Sequence, residues 1–212
     1  MNLNSIHQQN EEEYWNILTH GIGIPISVGV MTYMLIVLNP GIDVKLLAIL
    51  LMGLSSMMVY TTSTLYHFCW DKPYRSILRT IDHISIYFLI AGTYTPFLLF
   101  LYQDETGGDL LKVIWGLAIM GTLYKLFYTG KFENFSLAFY ILMGCTIFLD
   151  YETFVNNTPD DTLRLVTIGG LMYLVGVIFY RWKKLRFNHS IWHIFVLVAN
   201  LFHFAAVYTL LD

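Results

Sequence analysis

Seven histidines occur in this chain of 212 residues. Six of them, His20, His67, His83, His189, His193 and His203, fall in or beside stretches otherwise built from apolar side chains. His189 and His193 are four residues apart, so on a helix both imidazoles project from one face. Two imidazoles at that spacing can grip one metal ion. Ser63 and His67 repeat the spacing on a second stretch, and Asp82 follows one short polar loop later. Three neutral imidazoles around Zn2+ leave a fourth position for water, the open arrangement of catalytic zinc. Zinc lowers the pKa of that water toward about 7, and a nearby carboxylate can hold and deprotonate it. Asp82 is the carboxylate available for that task, with Ser63 as a hydrogen-bonding group beside it.

Plainer readings compete with this one. A histidine pair at i,i+4 also arises by coincidence or as helix capping, and His67 taken alone reads as an interfacial residue. Buried Asp and His serve in proton relays too. Haem fits less well, because bis-histidine haem sites in bundles pair histidines across helices.

The elements that must position these groups follow from composition. Hydrophobic residues make up 56% of the chain and charged residues 13%, about half the charged share of a soluble domain. Mean hydropathy is +0.57. Disorder, collagen and a disulfide scaffold do not fit these numbers, and the two cysteines, Cys69 and Cys145, suggest no disulfide. A net charge of −3 argues against a nucleic-acid partner, which needs a basic face. The class that remains is an all-α integral membrane protein.

A helix needs about 20 apolar residues to cross a bilayer. Seven stretches qualify, at roughly 16–38, 44–68, 77–101, 110–129, 134–151, 163–181 and 190–211, the fifth being the weakest by length. Short polar breaks separate them, among them Asn39-Pro40-Gly41, Trp70 to Pro73, Gln103-Asp104-Glu105, Gly130-Lys131, Asn156 to Asp161 and Arg181 to Asn188. Pro25 and Pro96 are expected to kink their spans. The spans make residues 1–212 a single seven-helix transmembrane domain, with 1–15 as a short cytoplasmic tail that lacks the basic start of a signal peptide.

Lys and Arg orient such a bundle. With the N-terminus inside, nine of the twelve basic residues fall on the inner side and only Lys45, Lys112 and Arg164 on the outer side. The C-terminus is then outside. In this arrangement His20, His67, Asp82, His83, His189 and His193 converge on one level near the inner face. His203 lies about 15 Å deeper, at about 1.5 Å per helical residue.

Three motifs resemble the progestin and adiponectin receptor superfamily, and its bacterial hemolysin III branch most closely. The first is Glu13-Tyr-Trp-Asn16-Ile-Leu-Thr19-His20. The second is Ser63-Thr-Leu-Tyr-His67 with Asp82-His83-Ile-Ser-Ile-Tyr87 and Ala91-Gly-Thr-Tyr-Thr-Pro96. The third is His189-Ser-Ile-Trp-His193, with His203-Phe204 ten residues on. The resemblance implies a seven-helix bundle inverted relative to G-protein-coupled receptors. It implies zinc held by His67, His189 and His193, a water near Asp82 and Ser63, and a supporting set of Glu13, Asn16, Thr19 and His20 close to the site. Eukaryotic members are linked to receptor signalling and ceramide hydrolysis, and bacterial members to membrane-lipid homeostasis.

The functional expectation is a membrane-embedded, zinc-dependent hydrolase of a lipid amide or ester bond, in the bacterial plasma membrane as a multi-pass protein. A non-catalytic zinc-containing lipid sensor is the alternative, and a hemolytic pore former a weaker one. The expected partner is a membrane lipid that the bundle receives in an apolar cavity. Short loops and termini leave no domain for a protein hormone.

Overall fold

The computed structural model describes residues 3–102 and 104–212, with side chains from residue 10 onward. Gln103 of the third break therefore lies outside the described residues, as do Met1 and Asn2. The described chain is all helical: α1 (Leu3–Gly21), α2 (Gly23–Val37), α3 (Val44–Phe68), α4 (Lys72–Phe100), α5 (Glu105–Tyr128), α6 (Glu133–Gly144), a 3-10 turn (Thr146–Asp150), α7 (Tyr151–Asn157), α8 (Asp160–Arg181) and α9 (Asn188–Leu211). The pair α1–α2 forms one crossing and the α6–α7 segment another. The result is seven helical spans long and apolar enough to cross a membrane, the expected all-α seven-span architecture.

Local chemistry sets the helix boundaries. The Asp43 carboxylate accepts from the Lys45 and Leu46 backbone N–H groups at 2.9 and 3.2 Å, capping α3. Asp104 caps α5 through Thr106 N–H at 3.1 Å. Pro73 sits in the first turn of α4, where its missing donor costs nothing. Gly130, with φ of 79°, turns the chain out of α5 in a conformation that costs glycine nothing.

Many large apolar side chains face outward, including Ile36, Phe127, Phe148 and Leu149. So broad an apolar exterior suits hydrocarbon and would aggregate in water. Inside, α4 is the most enclosed span and packs extensively on α3 and α5, while α8 pairs with α9. Gly92 lets α4 approach α3 closely: a Cβ there would stand 2.2 Å from Ser55 Oγ and 2.9 Å from the Leu51 carbonyl. This is the small-residue contact by which helices associate in lipid.

Two spans depart from the sequence reading. Helix begins at Leu3, well before the first expected span at 16, so the segment expected as a tail is largely helical. Glu11, Glu12 and Glu13 are good helix formers, and two of them meet arginines of the bundle: Arg186 pairs with Glu11, and Arg75 with Glu13. The fifth span reaches from Glu133 to Asn157, longer than the expected 134–151 but broken in its middle. Tyr94 makes the break tolerable. Its hydroxyl donates to the Gly144 carbonyl at 2.6 Å and accepts from Ile147 N–H at 3.2 Å, occupying groups that the interrupted ladder leaves free. Of the two prolines expected to kink their spans, Pro25 follows the α1–α2 interruption at Ile22, whereas Pro96 lies inside α4, which runs unbroken from Lys72 to Phe100.

Candidate metal centre

The C-terminal end of α3 and the N-terminal end of α9 bring three imidazoles together. The His67 ring centroid lies 5.1 Å from His189 and 5.3 Å from His193, and those two are 4.5 Å apart. One ligand atom of each falls within 4.8 Å of the other two. Tetrahedral Zn–N bonds of about 2.0–2.1 Å place nitrogens about 3.4 Å apart, so closure onto one ion asks for ring movements of no more than about 1.5 Å.

The hydrogen bonding is what makes the cluster look like a ligand set. Nε2 of His67, His189 and His193 is in each case buried and without a partner. A buried polar atom left unpaired costs about 1–3 kcal/mol, and one cation answers all three. The far nitrogens of two rings are already engaged. His67 Nδ1 lies 2.5 Å from a Glu13 carboxylate oxygen. His193 Nδ1 lies 3.1 Å from Thr19 Oγ1. The Thr19 hydroxyl donates to the Trp15 carbonyl at 2.7 Å, so its oxygen is free to accept from His193. In both rings the proton then belongs on Nδ1 and the Nε2 lone pair faces the cluster. A carboxylate or hydroxyl behind a ligating histidine orients metal sites in this way.

Helix α1 supplies this supporting layer. Glu13, Asn16 and His20 fall at i, i+3 and i+7, on one face, and all three are buried. The Asn16 amide nitrogen is 3.4 Å from His67 Nδ1, and its carbonyl oxygen accepts from Ser190 Oγ at 2.6 Å, tying α1 to α9. His20 stacks on His193 with centroids 3.5 Å apart and planes 19° from parallel, and it meets the Tyr60 ring edge-on at 5.3 Å. Both of its ring nitrogens are likewise buried without a partner, but it is not one of the three histidines whose ligand atoms cluster. The structure thus brings His67, His189, His193, Glu13, Asn16, Thr19 and His20 to one place.

Asp82 and Ser63 are also buried at this end of the bundle and lie within hydrogen-bonding reach of each other. Asp82 shares with His189 a cavity of about 40 Å³, also walled by His83, Glu133, Ser136, Tyr140, Tyr180 and Trp192. A cavity of that size admits water. His83 stands 3.8 Å from Glu133 and is not one of the three clustered histidines. His203 lies apart as well: its Nδ1 bonds the Ala199 carbonyl at 2.8 Å, and its ring rests where a Cβ on Gly169 would be.

Sequence reasoning missed four contributors. Ser190 was hidden between the two ligand-spaced histidines. Arg75 counted only as inner positive charge. Glu133 and the fully buried Lys125 pair at 3.2 Å on the far side of the cavity; no spacing in the sequence marks either of them.

Comparison with known proteins agrees with the motifs. The model of the family described as haemolysin-III related matches residues 8–204. The chain is 37% identical over 198 residues to the hemolysin-3 homolog of Bacillus subtilis, covering 93% of each chain. It is 38% identical to hemolysin-3 of Bacillus cereus over the same length, covering 93% of this chain and 90% of that one. The human monocyte to macrophage differentiation factor is 33% identical over 165 residues, 74% of this chain and 67% of the human protein. With a seven-span helical bundle, and with a family match over nearly the whole length, this chain belongs to the haemolysin-III related family.

Proposed function

We propose that this protein is a membrane-embedded zinc-dependent hydrolase that cuts an amide or ester bond of a membrane lipid and so contributes to membrane-lipid homeostasis. The observation that carries the reading is the set of three buried, unpartnered Nε2 atoms beside a water-sized cavity that also holds a carboxylate. Three histidine ligands suit zinc and leave a coordination position open. When bound there, zinc supplies Lewis-acid chemistry: it acidifies water and polarises a carbonyl.

The chain's own residues divide the remaining work. His67, His189 and His193 hold the ion, and Glu13 and Thr19 fix the tautomers of two of them. Asp82 accepts the proton of the attacking water as the carbonyl carbon gains its new C–O bond. It then returns that proton to the leaving nitrogen or oxygen as the C–N or C–O bond breaks, as a general base and acid does. Ser63 orients the Asp82 carboxylate. The cavity beside Asp82 and His189 has room for the attacking water, and the scissile bond reaches it from the surrounding lipid.

The same small cavity favours a second reading, a lipid sensor in which zinc is structural. Incubation of the purified protein with a mixed lipid extract separates the two. The hydrolase releases fatty acid from one lipid class, measured by mass spectrometry, while an unchanged extract supports the sensor.

The nine-to-three division of basic residues supports a site at the cytoplasmic face of the cell membrane. A reporter fused after Asp212 is expected outside the membrane and one inserted within 182–187 inside; the opposite pattern would move the site to the outer face.

A further inference from the structure

Arg75, in the first turns of α4, is bound at every side. One guanidinium nitrogen donates to the carbonyls of Tyr66 and Cys69, at 3.2 and 2.7 Å, where α3 ends. The other pairs with a Glu13 carboxylate oxygen. The guanidinium also lies 4.7 Å from the Tyr66 ring centroid and 5.6 Å from that of Trp70, a stacked position a planar cation holds well. Its side chain is 23% exposed. Helix ends leave carbonyls unsatisfied, and Arg75 takes two of them.

The geometry points to Arg75 as a positioning residue for the metal centre, acting through Glu13. This inference rests on the metal reading above. The two oxygens of the Glu13 carboxylate have separate tasks: one pairs with Arg75, the other faces His67 Nδ1 at 2.5 Å. With α3 and the carboxylate gripped together by one rigid fork, the second oxygen has a single direction left. That direction keeps the proton on His67 Nδ1 and the Nε2 lone pair toward the cluster. Without Arg75, Glu13 is a buried carboxylate free to rotate, and α1 loses an arginine pin of the kind that Arg186 makes on Glu11.

The test is zinc affinity, read by chelator competition on the full-length protein in detergent, with thermal unfolding recorded alongside. Loss of a group that orients a ligand costs about 10–100-fold in metal affinity. Arg75→Gln is expected to weaken zinc about tenfold or more. Arg75→Lys, which keeps the charge but not the fork, is expected to fall between it and the natural protein. A residue acting only through Glu13 adds nothing once Glu13 is gone, so Glu13→Gln/Arg75→Gln should match Glu13→Gln alone. Unchanged zinc affinity in Arg75→Gln, or additive losses in the double variant, would overturn the inference. Should Arg75→Gln not fold, the Lys variant decides alone: affinity equal to the natural protein's overturns the inference, and weakened affinity with an unchanged unfolding midpoint supports it. A natural protein that binds no zinc would instead remove the metal reading itself.

Discussion

His189→Ala combined with His193→Ala is expected to take the purified protein from about one zinc per chain to none by elemental analysis. The two residues are one helical turn apart on α9, their Nε2 atoms lie buried without a partner, as does that of His67, and a ligand atom of each of the three falls within 4.8 Å of the other two. Structural zinc sites in small domains are worth about 10–16 kcal/mol with a full ligand set, and a lone His67 supplies one bond of that set. His67→Ala should also lose most of the metal. His203→Ala should lose none, because its Nδ1 is committed to the Ala199 carbonyl and its ring packs against Gly169, away from the cluster. Full zinc in the double variant would mean the ion is held elsewhere.

Asp82→Asn carries the other large expected effect. Asn has nearly the same shape, and Asp82 is not one of the three clustered ligands, so fold and zinc should both persist. Hydrolysis should fall by about 10²–10⁴-fold, the usual contribution of a general acid–base group, because an amide cannot take the proton of the attacking water. Zinc content and fatty-acid release are measured on the same preparation. Unchanged release would take Asp82 out of the mechanism. Loss of zinc would make it a residue that orients the ligands.

Much of this arrangement could be read before any coordinates. The seven spans followed from hydropathy, because lipid tolerates few polar interruptions and each break therefore shows as Pro, Gly or charge. His189 and His193 were legible because helical spacing puts i and i+4 on one face. The α1 residues were not legible in the same way. Glu13, Asn16 and His20 share a face only if helix continues back through Glu11-Glu12-Glu13, and a hydropathy window ends the span where those acids begin. The missing term was tertiary: Arg75 and Arg186, distant in sequence, pair with two of the glutamates. The broken fifth span was hidden for a similar reason, since its repair comes from the Tyr94 hydroxyl on another helix. Lys125 was read as a marker of the inner surface, yet it is fully buried against Glu133, a pairing that sequence spacing alone could not have announced.

The central claim is that a metal held by His67, His189 and His193 does hydrolytic work on a membrane lipid. The most direct measurement follows fatty-acid release from a mixed lipid extract by one preparation of the purified protein in three states: as isolated, after exhaustive chelation, and after zinc is restored. Release is expected in the first state, absent in the second and recovered in the third. Release that continues undiminished after the zinc has been removed would contradict the account.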